Sequence, residues 1–190
     1  MKLQNQFMLV IFVGLLIAGC AASNQTKQKK QQHSYSLVQV SNSNLQLPQH
    51  VMFSWLPQKR PVLGNTRIDR REISNLLDVS FKQELKKRGY LWNDSHKLAQ
   101  YYITYVAIAG DSVTEADINR TFKINPGLSS ATYGSNSFEK GSLIVDIVDS
   151  RSGQSAWRVA LQANLDRDDE LDARQQRIKN AVRYIVSKIP

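Results

Sequence analysis

The sequence predicts an α+β domain built as a two-layer sandwich, in which two amphipathic helices pack on one face of a mainly antiparallel sheet. Three observations lead to this fold class. Segments 143–148 and 157–165 alternate and are joined by a turn, as in a β-hairpin. Segments 68–88 and 168–188 carry apolar residues at helical spacing. The predicted order is strand, strand, helix, strands, hairpin, helix, without an internal repeat.

The amino-terminal leader is predicted to be an export signal. Lys2 is followed by an apolar run from Phe7 to Ile17 and by the small residues Ala18 and Gly19. The run is too short to span a bilayer, which takes about 20 apolar residues in a helix. The stretch from Ala21 to Ser34 is almost without apolar side chains and is predicted to be a flexible tether. The predicted divisions are a leader over residues 1–19, an acylated cysteine with its tether over 20–34, and one domain over 35–190.

Cys20 is the only cysteine in the chain. Secreted proteins that rely on disulfides carry an even number of cysteines, so neither a disulfide framework nor a cysteine metal cluster is predicted. The sequence Ile17-Ala18-Gly19-Cys20 resembles the lipobox of bacterial lipoproteins. This resemblance implies acylation of the Cys20 thiol, cleavage before it and acylation of the new amino terminus, which together make a stable anchor. Ala21 at the next position, rather than aspartate, implies the outer membrane. The alternative is a plain secretory signal followed by a chance thiol.

Two short strands are predicted ahead of the first helix. Tyr35 to Val40 and His50 to Trp55 are rich in β-branched and aromatic residues, and Pro57 ends the second segment. The connection that follows is predicted to be formed by Pro61, Gly64 and Asn65.

The first helix is predicted from Ile68 to Arg88. Thr66 or Asp69 is suited to cap its start, and Gly89 is suited to end it in the left-handed conformation. Glu84 falls inside the apolar stripe, where it either emerges beyond the sheet edge or pairs with a basic neighbour. The stripe consists of Ile73, Leu76, Leu77, Phe81 and Leu85.

Leu98 to Ala109 is predicted to be a central strand because both of its faces are largely apolar. The region after it is weakly patterned, although Ile118, Phe122 and Ile124 alternate as in an edge strand. Loops on a rigid scaffold often carry binding residues, so the segment from Asp111 to Ser137 is the predicted partner-contact loop. Its candidate contact residues are Asp111, Arg120, Phe122, Lys123 and Tyr133.

The hairpin has matching apolar faces only if odd-numbered residues oppose odd-numbered residues. This register places Asp146 and Arg158 on one face, where they are predicted to form a cross-strand ion pair. Asp149 is predicted to start the turn through its side-chain oxygen, and Gly153 to supply the positive φ. The core-facing residues are Leu143, Val145, Ile147, Trp157, Val159, Leu161, Ala163 and Leu165, with Arg158, Gln162 and Asn164 on the opposite face.

The last helix is predicted from Asp168 to Lys188. Its first turn is acidic and its later turns are basic, as the helix dipole favours. The acidic group between Asp166 and Asp172 lacks the ligand spacing and internal glycine of an EF-hand, so it is interpreted as a helix start rather than a calcium site. The apolar stripe consists of Leu171, Ile178, Ala181, Val182, Ile185 and Ile189.

Several of these segments together resemble a known family. They are Phe53 to Pro57, Leu85 to Tyr90, Lys140 to Gly153, Trp157-Arg158 and Ile185 to Pro190, and they are similar to the family catalogued as domain of unknown function 4136. Members of that family are mostly bacterial envelope lipoproteins, which the resemblance implies for this chain as well. The family supplies no reaction, ligand or catalytic residue.

No motif names a reaction, and no catalytic residue, cofactor or metal is predicted. His33, His50 and His96 do not stand at metal-ligand spacing, and neither a nucleophile elbow nor a phosphate-binding glycine loop occurs. The formal charge of +9 becomes +8 when Lys2 leaves with the leader. An export signal argues against nucleic acid, so this balance is attributed to surface solubility, anionic lipid or an acidic partner. The aromatic residues Trp55, Trp92, Tyr101, Tyr105 and Trp157 are interpreted as core rather than as a glycan platform.

The leading interpretation is a non-enzymatic outer-membrane lipoprotein, whose periplasmic domain is a structural module or binds an envelope protein or an anionic envelope component. One alternative is a small apolar or lipid ligand held between sheet and helices, which requires an apolar pocket of more than about 300 Å³. Another is an envelope hydrolase, which requires a cleft with converging His, Asp or Glu side chains. The oligomeric state is left open.

Overall fold

In the computed structural model, which describes residues 35–41, 45–58, 60–64, 69–110, 116–117, 120, 138–166 and 170–190, seven strands form one sheet. The described residues all belong to the compact unit His33–Pro190. The predicted leader, Cys20 and the tether lie outside them. The elements are β1 (Tyr35–Ser41), β2 (Met52–Trp55), β3 (Val62–Gly64), α1 (Arg70–Lys87), β4 (Leu91–Trp92), a 3₁₀ turn (His96–Leu98), β5 (Tyr101–Ala109), β6 (Phe138–Asp149), β7 (Ser155–Asp166) and α2 (Leu171–Ser187).

The sheet has the strand order β1-β7-β6-β5-β2-β4, with β3 also paired to β5. β1, β7, β6 and β5 are antiparallel to one another, whereas β2, β3 and β4 join by parallel pairing. The predicted α+β class with a mainly antiparallel sheet is therefore confirmed. The parallel portion follows from the chain path, because a helix between two strands returns the chain to the same end of the sheet.

The predicted hairpin is confirmed in register and in turn chemistry. From Phe138 to Ile147, odd-numbered residues oppose odd-numbered residues, as in Val145 opposite Val159, and the register shifts by one residue between Ile147 and Val148 beside the turn. Asp149 Oδ1 accepts hydrogen bonds from the backbone N–H groups of Arg151 and Ser152, and Gly153 has a φ of 68°. The Ser152 N–H bond is the largest cause of a lowered pKa of Asp149.

The two faces of the sheet belong to different apolar clusters. The odd-numbered face, which includes the fully buried Trp157, shares one cluster with the buried side chains of both helices. The even-numbered face carries a second, smaller cluster of Ile108, Ile144 and Ala160. The polar residues predicted for this face are not all exposed, since Gln162 is buried and its Nε2 donates to Ser142 Oγ at 3.2 Å.

The first helix begins and ends as predicted at its caps. Asp69 Oδ1 accepts from the backbone N–H groups of Arg71 and Glu72, and Gly89 has a φ of 84°. Of the predicted stripe, Leu77, Phe81 and Leu85 are buried, and Ile73 and Leu76 are half-buried. Glu84, whose position falls inside the apolar stripe, pairs with basic neighbours: its Oε1 lies 2.7 Å from Lys87 Nζ and 3.7 Å from Arg183 Nε.

The last helix packs through Val182, Ile185 and Val186. Leu171, placed in the stripe by its spacing, is instead 51% exposed. Side chains on a helix lean toward its amino terminus, so a residue in the first turn points past the packed layer. Arg177 occupies an inner position of the helix and is buried, although its type favours the surface.

Three strand predictions were wrong in detail. The connection predicted at Pro61 to Asn65 contains β3, which pairs with β5. The second strand begins at Met52 rather than His50, because His50 has a left-handed φ of 62°. The central strand begins at Tyr101 rather than Leu98, which ends the 3₁₀ turn.

Candidate functional site

Two short strands, β2 and β3, pair with separate parts of β5, and the connection between them carries Arg60 of the candidate site. β2 pairs with β5 at Tyr101–Ile103, and β3 pairs with it at Ala107–Ala109. The chain between β2 and β3 therefore leaves the sheet opposite the middle of β5. Arg60 lies in this connection, and its side chain is only 19% exposed.

Arg60 forms a forked ion pair with Asp78 of α1. Its Nε lies 3.2 Å from Asp78 Oδ1 and its Nη2 lies 3.0 Å from Oδ2. The guanidinium also stacks over the ring of Trp55, 4.1 Å from the ring centroid. Arginine suits both contacts because its planar group matches a carboxylate and stacks on an aromatic face.

Tyr105 of β5 contacts the same carboxylate, that of Asp78. Its hydroxyl donates to Asp78 Oδ1 at 2.8 Å and lies 3.2 Å from both Oγ and the carbonyl oxygen of Ser74. Burial, followed by the Asp78 carboxylate, raises the pKa of the Tyr105 phenol well above its ordinary value. The hydroxyl therefore stays protonated and acts as a fixed donor.

Trp92 extends the arrangement to the edge strand β4. Its ring packs edge-to-face on Trp55 at 5.0 Å between centroids, and its Nε1 donates to Asp94 Oδ1 at 2.8 Å. Lys82 Nζ lies 2.7 Å from the same oxygen and 5.3 Å from the Trp92 ring centroid. The bond from Lys82, followed by that from Trp92, lowers the pKa of Asp94.

These residues form what we call the aromatic–ion cluster. Its two cations face two carboxylates, and both tryptophan rings have a cation above them. Its members come from separate elements, so no local pattern along the chain predicts it. Of the aromatic residues interpreted as core, Tyr105 is buried, and Trp55 and Trp92 are half-buried and pack against the core cluster. The cluster consists of Trp55, Arg60, Asp78, Lys82, Trp92, Asp94 and Tyr105.

A second feature is a basic surface where the two helices end. Glu72 near the start of α1 contacts Gln175 near the start of α2, at 3.2 Å. At the other end, Arg88 Nη1 donates to the carbonyl oxygens of Val186 and Ile189 at 2.6 and 3.1 Å. The helices therefore run in the same direction. The exposed cations at their carboxyl ends, which we call the basic end, are Lys86, Lys87, Arg88, Arg183 and Lys188.

The predicted contact loop is described only in part. Arg120 is exposed, and its Nη1 lies 3.4 Å from Asp117 Oδ1. The rest of the predicted edge strand and the other candidate contact residues lie outside the described residues, namely Asp111, Ile118, Phe122, Lys123, Ile124 and Tyr133.

The hairpin contains the cross-strand ion pair predicted from its register. Asp146 and Arg158 stand directly opposite each other and form the predicted ion pair, with Arg158 Nε 3.0 Å from Asp146 Oδ2.

Within the described part of the chain, no three His, Cys, Asp or Glu residues gather to hold a metal ion. Among the described ranges, which exclude His33, there is also no helix with the length and apolarity to cross a membrane.

Fold and site together define an α+β domain with an ion-paired aromatic cluster at one side of its sheet. The chain belongs to the DUF4136 family, a domain of unknown function, whose sequence model matches residues 24–190. The family resemblance predicted from sequence is thereby confirmed. No curated protein matches the chain.

Several solved structures are similar to this one. A PelC dodecamer from Paraburkholderia phytofirmans is 10% identical with a TM-score of 0.46, over 81% of this chain and 96% of that chain. A DUF4136 family protein from Bacteroides thetaiotaomicron is 11% identical with a TM-score of 0.43, over 80% and 95%. A lipoprotein from Neisseria meningitidis is 10% identical with a TM-score of 0.37, over 72% and 98%. The family assignment rests on the sequence model rather than on these structures.

Proposed function

We propose that the protein is an envelope lipoprotein, anchored in the outer membrane through acylated Cys20, with a periplasmic domain that acts as a non-enzymatic binding module. The observation that carries this proposal is the lipobox-like sequence ending at Cys20, in a chain of the DUF4136 family. The family membership supports the envelope setting through the resemblance described above.

The path of β1 shows at which end of the sheet the domain begins. Tyr35, which begins β1, lies at the same end of the sheet as Ala163, Gly141 and Ala109. The tether joins the domain at this end, which we call the Tyr35 end. The basic end lies at the opposite end, beside β4 and the start of β5. Strands of this length extend about 30–40 Å at 3.3 Å per residue, so the basic end lies about that far along the sheet from the Tyr35 end.

The charges of the basic end favour an anionic partner. Five exposed cations share this surface with Glu84, which is largely buried and already paired with Lys87 and Arg183. Surface cations attract an acidic protein face or an anionic polymer and raise its association rate. We assign the partner contact to this surface.

The pairing inside the aromatic–ion cluster favours binding or a structural role over catalysis. Arg60, Asp78 and Tyr105 satisfy one another at hydrogen-bond distances. A general acid or base needs a proton-transfer group that faces a substrate. In this cluster the ionisable groups instead face one another.

The anchor is tested by replacing Cys20 in the full chain. Cells are labelled with radioactive palmitate and their membranes separated by density. The unmodified chain is expected to carry label and to sediment with outer membranes, and Cys20→Ser is expected to lose both properties. Ala21→Asp is the matched variant, because it keeps the label but is expected to move to the inner membrane. Label on Cys20→Ser would refute the acylation site.

The partner surface is tested by crosslinking in intact cells, with mass spectrometry of the captured species. The double variant Lys86→Gln, Lys188→Gln is expected to reduce the captured partner severalfold. The control, Arg71→Gln with Arg174→Gln, removes the same charge at the Tyr35 end and is expected to leave capture unchanged. Equal loss in both variants would show that only net charge matters, and no loss in either would remove the basic end as the contact.

A further inference from the structure

The strand β1 forms one edge of the sheet. All seven of its residues pair with β7, from Tyr35 opposite Ala163 to Ser41 opposite Trp157, without a register shift. Among the described strands β7 is its neighbour on one side. The backbone N–H and C=O groups on the other side of β1 therefore point away from the described sheet.

This edge lacks the features that usually protect one. Natural edge strands are kept from pairing with other chains by short length, charged residues, proline or bulges. β1 reads Tyr-Ser-Leu-Val-Gln-Val-Ser, with no charge, proline or glycine. The opposite edge is different, because β4 has only two residues and the Lys82–Asp94 ion pair lies beside it. The described molecule protects one edge and leaves the other open.

We propose that β1 is the docking edge for a second copy of this chain, with the two β1 strands pairing antiparallel about a two-fold axis normal to the sheet. A two-fold interface brings the same surface of both copies together, and an antiparallel strand pair has this symmetry. In the register that pairs all seven residues, Val38 faces Val38 of the second copy and Leu37 faces Gln39. No like charges oppose each other, because β1 has none.

The same register keeps the faces of the two sheets continuous. Odd-numbered residues oppose odd-numbered residues, and Leu37 packs with the cluster that contains both helices. The helices of both copies then lie on the same side of one doubled sheet. The second copy offers a strand of the same seven-residue length that also carries no charge, so the pairing leaves no charged side chain of β1 at the junction.

Strand pairing alone buries less than the roughly 800 Å² per partner that is typical of stable complexes. The dimer is therefore expected to be reversible and dependent on concentration. Cysteine crosslinking tests the register of the strand pair, and a mass measurement tests whether the dimer forms.

Cysteine crosslinking tests the register. Full-length chain with Cys20→Ser, which removes the only other thiol, carries Val38→Cys or Gln39→Cys and is oxidised mildly in detergent. Directly opposed Cα atoms lie about 4.5–5.5 Å apart, within disulfide reach, whereas the diagonal pair formed by position 39 lies about 7–8 Å apart. Val38→Cys is expected to form at least tenfold more covalent dimer. Equal yields, or a higher yield for Gln39→Cys, would overturn the stated pairing.

Analytical ultracentrifugation of the full chain tests the dimer itself. Gln39→Lys places a charge at an exposed position of β1 and is expected to raise the dimer dissociation constant at least tenfold. Leu91→Lys, at the exposed opposite edge, is the matched control and is expected to leave it unchanged. Circular dichroism checks that both variants remain folded. A monomer at every concentration, or equal weakening by the two variants, would overturn the proposal.

Discussion

The hydroxyl of Tyr105 offers the sharpest test of the aromatic–ion cluster. Tyr105→Phe keeps the ring, which is buried against Phe81 and Trp55, and removes one oxygen atom. That oxygen donates to the Asp78 carboxylate at 2.8 Å and contacts Ser74. The change therefore removes a hydrogen bond without creating a large cavity.

Hydrogen bonds to charged groups contribute about 1.5–3 kcal/mol to stability. Asp78 is one-quarter exposed and keeps its bond to Arg60, which places the expected loss near the lower limit, at about 1.5–2 kcal/mol. With a urea m-value of about 1–3 kcal/mol/M, the unfolding midpoint is expected to fall by about 1 M. Urea titration followed by circular dichroism measures this shift.

Tyr102→Phe provides the matched control for this prediction. The Tyr102 hydroxyl donates to the His96 carbonyl at 3.2 Å in an exposed position, so its loss is expected to cost less than about 0.5 kcal/mol. A double-mutant cycle between Tyr105→Phe and Asp78→Asn is expected to give a coupling of at least about 0.5 kcal/mol. The reasoning fails if Tyr105→Phe costs no more than Tyr102→Phe, or if the cycle shows no coupling.

Three further predictions concern backbone and helix contacts. Gly64→Ala is expected to cost more than Gly141→Ala in urea unfolding, because its added Cβ would lie 2.9 Å from a backbone oxygen, whereas the clash at Gly141 is with a movable leucine side chain. Asp149→Ala is expected to lower the melting temperature at pH 7. The depressed pKa of Asp149 makes its contribution present above the unfolded value of 3.8 and lost as pH falls through the folded value, so the difference from wild type should shrink at pH 2. Arg88→Met is expected to cost about 1–2 kcal/mol and to speed hydrogen exchange at the end of α2, as mass spectrometry would show. An unchanged exchange rate there would contradict the role given to Arg88.

The elements that sequence predicts well are those with a long periodic pattern. The hairpin alternates over two strands of twelve residues, so its register, its turn and the Asp146–Arg158 pair all follow from counting positions. The helices likewise follow from their stripes and caps. In these elements each residue is specified by neighbours that are close along the chain.

The candidate site could not be predicted in the same way. β3 and β4 have three and two residues, which is too short for a period to emerge. Arg60 reaches Asp78 and Trp55 only because β2 and β3 pair with separate parts of β5. For Leu171 the local pattern is misleading: its spacing places it in the apolar stripe, but its position in the first turn of the helix leaves it exposed. Such outcomes depend on tertiary pairing rather than on local pattern.

The antiparallel pairing of β1 with β7 has a consequence for how the chain is made. The paired residues are separated by 116 to 128 positions, from Ser41 with Trp157 to Tyr35 with Ala163, so β1 leaves the ribosome long before the strand that receives it. At about 5–20 residues per second, that delay is on the order of ten seconds. During this time an uncharged, strand-forming segment has no native neighbour. Those seven residues therefore remain available for pairing with other strands until synthesis is almost complete.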